Sequence, residues 1–347
     1  MSSKPIVLVT GGTGFVGSHV IDQLLREGYH VRAPARIGKT SNFNIMFPDA
    51  GPKLKVFEVA DLATGDFSEA LRGVAVLVHV AAPGHSAAAP HTILSITIDG
   101  TLNIVNQAIG AGVKKIVATG SFVALFGPDF ARAFSSEPLS EKDWNTITAE
   151  QVNDGTHPMI AYIAGKTVAE RKLWELSEQH KDIDFTTIVP PAIFGPLLKT
   201  FPRPSSRSGL STLDFVYRLV TGEAGPNTWP NVQIGNVVHI FDVVRAHVLA
   251  VAAPPLSDGR KKRLVIGPGI YTWQEGADLI KRERPELISR LPRSDLTPIP
   301  TTCAPLDTSL AEEVLGIKAW LPWEKAFLEA MDSALEVWEK GEANIKA

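Results

Sequence analysis

A glycine-rich segment between an apolar run and an amphipathic stretch is the strongest constraint on how this chain folds. Ile6–Val9 is apolar, residues 10–14 read Thr-Gly-Gly-Thr-Gly, and Phe15–Glu27 has the periodicity of a helix. A strand, a tight glycine turn and a helix form the context in which such glycines bind a dinucleotide. The sequence therefore predicts a dinucleotide site at the start of the fold.

The spacing of the glycines fits two dinucleotide-binding patterns. Gly12, Gly14 and Gly17 have the spacing Gly-x-Gly-x-x-Gly, whereas Gly11, Gly14 and Gly17 have the spacing Gly-x-x-Gly-x-x-Gly. In both patterns the missing side chains let the backbone approach a pyrophosphate, and the helix N-terminus favours its negative charge. Either pattern predicts that this turn contacts the pyrophosphate.

Short apolar runs alternate with helical stretches through the first half of the chain. Such alternation is typical of a parallel sheet covered on both faces, so we predict an α/β fold with a doubly wound parallel sheet of the Rossmann type. The predicted strands are Ile6–Val9, His30–Ala33, Leu54–Val59, Val74–Val80, Lys115–Thr119 and Phe185–Val189. The predicted helices of this half are Phe15–Glu27, Phe67–Leu71, Ile93–Ala111 and Met159–Gln179.

Prolines after position 189 mark a change in organisation. Five of them, at 190, 191, 196, 202 and 204, interrupt regular structure. Further helices are predicted at Phe241–Ala253, Trp273–Arg284, Asp307–Leu315 and Trp323–Lys340. We predict a Rossmann domain formed by residues 1–195 and 236–254, and a smaller, discontinuous C-terminal substrate lobe formed by residues 196–235 and 255–347.

Composition argues against several function classes. Lys and Arg total 34 against 37 Asp and Glu, a formal charge of −3 that gives no electrostatic reason to bind nucleic acid or an anionic membrane. A single cysteine, Cys303, excludes an intramolecular disulfide and a cysteine-rich zinc site. No apolar stretch approaches the roughly 20 residues of a membrane-spanning helix, and the N-terminal run is too short for a signal peptide. We expect a soluble, cytoplasmic protein.

Two other kinds of site are disfavoured. His79, His85 and His91 recur every six residues, which suits no single helical face, so no metal site is predicted. Ser121 follows a glycine but lacks the Gly-x-Ser-x-Gly sequence of a hydrolase nucleophile.

The end of the second strand indicates which dinucleotide binds. An NAD site places an acid there to hold the ribose 2′-hydroxyl, but residues 28–48 contain no Asp or Glu. Arg36, with Arg32 or Lys39 nearby, instead suits a 2′-phosphate through charge-assisted hydrogen bonds. We therefore predict NADPH. Asp61, before Leu62, either accepts a hydrogen bond from the adenine amino group or caps a helix.

A tyrosine and a lysine are four residues apart in a predicted helix. Tyr162 and Lys166 lie in Met159–Gln179, where that spacing puts a phenol and an ammonium on one face. A phenol has a pKa near 10, too high for acid–base work at neutral pH without help from its surroundings. Combined with the dinucleotide turn, the pair predicts hydride transfer with the phenol handling the proton.

The motifs together resemble an extended short-chain dehydrogenase/reductase of the branch that contains dihydroflavonol 4-reductase, cinnamoyl-CoA reductase and fungal aldehyde, ketone and methylglyoxal reductases. The resemblance covers most of the chain and weakens over roughly the last 80 residues. Matching segments lie at 10–17, 31–36, 78–83, 100–103, 119–121, 162–166, 190–196 and 238–247.

The resemblance implies a catalytic triad of Ser121, Tyr162 and Lys166. Ser121 would hydrogen-bond the substrate carbonyl oxygen, and Tyr162 would protonate it as hydride arrives. Lys166 would hold the nicotinamide ribose. Together with the oxidised nicotinamide, it would lower the pKa of the phenol.

The resemblance and the residues themselves together indicate which residues bind the cofactor and the substrate. The cofactor contacts are Gly11, Thr13, Gly14, Phe15, Val16, Gly17, Arg36, Lys39, Asp61, Leu62, Val80, Ala81, Ala82, Pro83, Tyr162, Lys166, Pro190 and Ile193. The substrate-pocket candidates are Pro83, Phe122, Pro191 and Phe194, together with Phe201, Tyr217 and Trp229 from the loop-rich lobe.

The sequence favours an NADPH-dependent reductase of a small-molecule aldehyde or ketone. A sugar-nucleotide epimerase or dehydratase of the same fold is an alternative, although those enzymes retain NAD and predict an acid where Arg36 stands. A cofactor-sensing regulator without turnover is another, although such proteins lose the tyrosine or lysine. A monomer is expected, or a weak homodimer that pairs through Ile93–Ala111 and Met159–Gln179. The sequence leaves the carbonyl substrate and the stereochemistry open.

Overall fold

The computed structural model describes residues 4–82, 89–204, 206–222, 227–230, 235–293 and 302–340. In these ranges the strands are β1 Ile6–Thr10, β2 His30–Arg36, β3 Leu54–Val59, β4 Val76–His79, β5 Lys115–Thr119, β6 Asp184–Val189, β7 Ala192–Phe194, β8 Asn236–His239, β9 Lys262–Val265 and β10 Gly269–Ile270. The helices are α1 Phe15–Arg26, α2 Ser41–Met46, α3 Ser68–Leu71, α4 Pro90–Gly110, α5 Pro158–Gln179, α6 Leu213–Thr221, α7 Ile240–Ala252, α8 Trp273–Glu283, α9 Ser309–Leu315 and α10 Trp323–Leu335.

The main sheet is parallel and confirms the predicted fold class. Its seven described strands follow the order β3-β2-β1-β4-β5-β6-β9, and each neighbouring pair is parallel. Strands β2 and β3 follow on one side of β1, and the chain then crosses over so that β4 lies on the other side of β1. Ligands of such sheets bind outside the carboxyl ends of the strands at this reversal.

Alternating side chains bury both faces of the main sheet. Val7 and Val9 project into a core shared with α1 and α7. Leu8 projects the opposite way, into a core shared with α4 and α5. All three are fully buried, which explains why the strands read as continuous apolar runs.

The second strand extends three residues beyond its prediction. Pro34 indicated an end at Ala33, but β2 continues to Arg36 and stays paired with β3. The β1 ladder reaches only Arg32, so the missing N–H of Pro34 breaks no bond to β1. Arg36 therefore stands at the carboxyl edge of the sheet.

Residues after the sixth strand complete the sheet and build a second layer. Lys262–Val265, within the range assigned to the lobe, is instead the edge strand β9 of the main sheet, so that part of the predicted boundary is wrong. A smaller sheet has the order β10-β8-β7. Tyr271 and Phe327 pack beside it with ring centroids 5.3 Å apart. The rest of the two-domain division stays a prediction.

Helices α4 and α5 pack closely against each other beside the sheet. Gly165 permits this approach, since a Cβ there would lie 3.0 Å from the Cβ of Thr97. Neither of these helices, nor any other in the described ranges, is long and apolar enough to cross a bilayer.

We predict that Gly17→Ala destabilises the protein. Its Cβ would lie 2.2 Å from the carbonyl oxygen of Gly11, so the turn must shift, at a cost of about 1–3 kcal/mol in the free energy of unfolding. Gly110→Ala at the exposed end of α4 is the control, because a Cβ there meets nothing within 4 Å. Urea denaturation measures both; equal stabilities would contradict the tight turn.

Candidate active site

The glycine turn has the geometry of a dinucleotide cradle. Gly11 has φ 72°, and a Cβ there would lie 2.8 Å from the backbone nitrogen of Ala81. Gly14 caps α1 without a side-chain acceptor, and the first turn of this helix carries no acid. The first N–H groups of α1 are therefore suited to an anion. Thr13 and Val16 are half-buried, whereas the buried side chain of Phe15 packs on His19, which leaves Phe15 to contact a cofactor through its backbone.

Arg36 and Lys39 share a turn at the carboxyl end of β2. The N–H of Lys39 donates to the carbonyl of Arg36 at 2.9 Å, and both side chains are exposed. Arg32 has a different environment: its Nη1 donates to the carbonyl of Ala70 at 2.9 Å, and its guanidinium lies over Phe57. The structure thus leaves Arg36 and Lys39 as the pair that can meet a 2′-phosphate.

Asp61 holds a turn rather than a helix end. Its carboxylate accepts the N–H of Thr64 at 2.7 Å and the hydroxyl of Thr64 at 2.6 Å, which lowers the pKa of Asp61. The next helix begins only at Ser68, so the helix-cap explanation is wrong. Asn103, which the sequence did not assign to the site, fixes Leu62 by donating to its carbonyl at 2.9 Å. Contact with adenine stays a prediction.

A buried threonine and histidine position the segment after β4. The Thr10 hydroxyl accepts the N–H groups of Val80 and Ala81, each at 3.2 Å, and donates to Nδ1 of His79 at 2.9 Å. Nε2 of His79 then donates to Thr101 at 3.0 Å. Burial lowers the pKa of His79 to about 3, so this imidazole is neutral. Sequence reasoning missed the network because its members lie on three separate elements.

That segment carries other predicted cofactor contacts. Val80 and Ala81 are half-buried and Ala82 is exposed at the carboxyl edge of the sheet. Pro83, predicted to contact both cofactor and substrate, and His85 lie outside the described residues. Across the described ranges, no three potential metal ligands cluster.

The structure brings Ser121, Tyr162 and Lys166 together. Ser121 follows β5 and is hydrogen-bonded to the phenol of Tyr162 in the first turns of α5. Lys166, one turn later, donates from Nζ to the carbonyl of Thr119 at 2.5 Å. Ser121 and Lys166 are each only 8% exposed. The hydroxyl, the phenol and the amine therefore share one largely buried site.

Burial dominates the acid–base properties of this site. It raises the pKa of Tyr162, and the hydrogen bond with Ser121 opposes that rise. It lowers the pKa of Lys166 to about 8, against the attraction of Glu170. In the protein alone the pKa of Tyr162 is raised, because desolvation of the phenolate outweighs its neighbours. The lowered pKa expected with oxidised nicotinamide bound stays a prediction. A protonated phenol is the form that donates a proton.

Thr119 also links the site to helix α7. Its hydroxyl donates to Nε2 of His247 at 2.7 Å, and Nδ1 of His247 donates to the carbonyl of Val243 at 2.7 Å. Burial lowers the pKa of His247 to about 4, so this imidazole is also neutral. The strand end that receives Lys166 is therefore fixed from both faces of the sheet.

The predicted substrate-pocket residues differ in how deeply they are buried. Half-buried Phe122 belongs to the apolar cluster that includes Tyr162, while Phe201 and Trp229 pack on the large core that runs from the α1 and α7 face of the main sheet to α10. Phe194 is fully buried against Phe327, and buried Tyr217 donates to Glu339 at 2.8 Å, so neither lines an open pocket.

Residues that follow β6 border the site. The carbonyl of Pro190 accepts the N–H of Phe122 at 3.0 Å, which holds this segment beside Ser121. Pro190 and Pro191 are buried, and Ile193 is half-buried.

A sequence profile of the NAD dependent epimerase/dehydratase family matches residues 7–267. The chain belongs to this family. The matched range contains the glycine turn, Ser121, Tyr162 and Lys166, and, except for Ile6, all the strands of the main sheet from β1 to β9.

Several relatives with named activities are reductases. Tetraketide alpha-pyrone reductase 2 of Arabidopsis thaliana is 32% identical, over 80% of this chain and 82% of that protein. An NADPH-dependent methylglyoxal reductase of Candida albicans is 28% identical, over 85% of this chain and 87% of that protein. The structure of yeast methylglyoxal/isovaleraldehyde reductase complexed with NADPH matches with a TM-score of 0.80 and 22% identity, over 97% of this chain and 99% of that chain. The family branch and fold expected from the sequence are confirmed.

Proposed function

We propose that this protein is an NADPH-dependent carbonyl reductase that converts an aldehyde or ketone to an alcohol. The observation that carries the proposal is the hydrogen-bonded pair of Ser121 and Tyr162, with Lys166 one helical turn away, at the carboxyl end of β5. The reductase names of the relatives support the same reaction class.

The chain's own residues would bind and protonate the carbonyl oxygen. NADPH, when bound, supplies the hydride. Ser121 and Tyr162 present two hydroxyl donors to the oxygen, where negative charge develops during reduction. The raised pKa of Tyr162 keeps the phenol protonated at neutral pH, ready to donate. The cation of Lys166 favours the phenolate that remains after the proton has left.

The turn at the end of β2 supports NADPH over NADH. Exposed Arg36 and Lys39 offer two cations to a 2′-phosphate, and the strand end carries no acid for a free 2′-hydroxyl. An epimerase or dehydratase that retains NAD would place such an acid where Arg36 stands.

The expected location and partners of the enzyme complete the proposal. We expect a cytoplasmic protein whose partner is a small carbonyl compound. Its formal charge of −3 gives no electrostatic reason to bind nucleic acid or an anionic membrane. It would act as a monomer or a weak homodimer through α4 and α5.

Tyr162→Phe should lower kcat by roughly 10²- to 10⁴-fold because it removes the proton donor while leaving the ring in place. Oxidation of NADPH with a panel of aldehydes and ketones measures the loss, and fluorescence titration should show retained NADPH binding. Tyr29→Phe, next to the amino end of β2, is the matched control and should behave as the wild type. Full activity of Tyr162→Phe would refute the proposed role, and tight NADPH binding without turnover by the wild type would favour a sensor.

Arg36→Ala should weaken NADPH binding by roughly 10- to 100-fold, the loss of a charge-assisted hydrogen bond to phosphate. Binding of NADH should change little. Arg282→Ala, on the exposed face of α8, is the control for the loss of one positive charge. Equal weakening of both cofactors by Arg36→Ala would contradict the phosphate clamp.

A further inference from the structure

A buried ion pair lies directly behind the triad. Glu170 follows Lys166 by one turn of α5, and Arg263 lies on β9; each is 2% exposed. Arg263 donates to the Glu170 carboxylate from Nε at 3.0 Å and from Nη2 at 3.3 Å. The hydroxyl of Thr187 on β6 donates to the same carboxylate at 2.7 Å. The pair thus joins α5 to two neighbouring strands.

The same guanidinium also holds the turn that follows Ser121. Its Nη2 donates to the carbonyl of Ala124 at 3.2 Å, and its Nη1 donates to the carbonyls of Glu141, at 3.0 Å, and Asp143. Its carbon centre lies 3.5 Å from the centroid of the Trp144 ring. One side chain therefore connects α5, which carries Tyr162 and Lys166, with the turn that carries Ser121.

Stability alone does not explain this pair. Burying two opposite charges costs several kcal/mol per ion in lost hydration, and apolar residues of similar volume are often as stabilising or more so. The pair instead fixes the positions of its partners, because the planar guanidinium of an arginine donates its hydrogen bonds in set directions.

We propose that Glu170 and Arg263 are positioning residues for carbonyl reduction, setting the distance between the Ser121 turn and the helix face of Tyr162 and Lys166. This rests on the proposed function. Arg263 anchors the serine turn, and Glu170 fixes the helix and supports the ammonium form of Lys166.

The charged and titratable groups around Lys166 show how Glu170 affects its pKa. Among the described groups, the side chains of His79 on β4 and His247 on α7 act on Lys166, but both imidazoles are neutral near pH 7. Tyr162, one turn earlier, is a neutral phenol. The carboxylate of Glu170 is thus the group that raises the pKa of Lys166 against burial. Its removal should lower that pKa, so that the ammonium is lost at a lower pH.

Two substitutions separate the roles of the pair. Glu170→Gln keeps the shape and removes the charge, so the pKa of Lys166 should fall below about 8 and the alkaline limb of the kcat profile should move to lower pH. Arg263→Lys keeps a positive charge beside Glu170 but removes the hydrogen bond from the guanidinium to the carbonyl of Ala124. It should leave the pKa of Lys166 near the wild-type value while lowering kcat roughly 10- to 100-fold through misplacement of Ser121.

The pKa of Lys166 is measured by NMR of ¹³C-labelled lysine, with its signal assigned by its absence in Lys166→Met. This readout needs no substrate, so it tests the electrostatic role even if the panel of carbonyl compounds gives no turnover, which would count against the proposed function instead. Thr187→Val, which removes only one donor to Glu170, serves if Glu170→Gln does not fold. It should loosen the carboxylate and lower kcat, as Arg263→Lys does, and wild-type kcat in Thr187→Val would count against the positioning role of Glu170. An unchanged lysine pKa in Glu170→Gln, or wild-type kcat in Arg263→Lys, would overturn the proposal.

Discussion

The hydrogen bond from Lys166 to the carbonyl of Thr119 is the contact on which the site depends. It joins α5 to the carboxyl end of β5 at 2.5 Å. Tyr162 precedes Lys166 by one helical turn and Ser121 follows Thr119 by two residues, so this contact brings their hydroxyl groups within hydrogen-bonding distance. His247 fixes Thr119 from the opposite face of the sheet. The geometry of the site is therefore a consequence of how one helix is held against one strand.

Burial sets the chemistry of this arrangement. Removal from water disfavours charge on every group, so it raises the pKa of Tyr162 and lowers the pKa values of Lys166 and His247. The protein thereby keeps a neutral phenol and a neutral imidazole beside an amine that titrates near pH 8. Glu170 opposes the loss of the amine's charge. These protonation states suit reduction of a carbonyl group, because Tyr162 begins with the proton that it would donate.

The sequence predicted those features that depend on local spacing. Glycine at 11, 14 and 17 defines a turn wherever it occurs between a strand and a helix, and Tyr162 and Lys166 share a face in any helix. Features that depend on distant partners were not predictable. Phe194 is buried by an aromatic ring 133 positions later in the chain, and Arg263 meets Glu170 only because β9 adds to the edge of the main sheet. The roles of the site residues remain predictions.

A crystal structure of the protein with NADPH tests the central claim most directly. The account predicts the pyrophosphate at the turn of Gly11 to Gly17 and the 2′-phosphate beside Arg36. It places the nicotinamide next to Tyr162, with Nζ of Lys166 within hydrogen-bond distance of the nicotinamide ribose. A nicotinamide bound away from Ser121 and Tyr162, or these two hydroxyl groups turned apart in the complex, would contradict it.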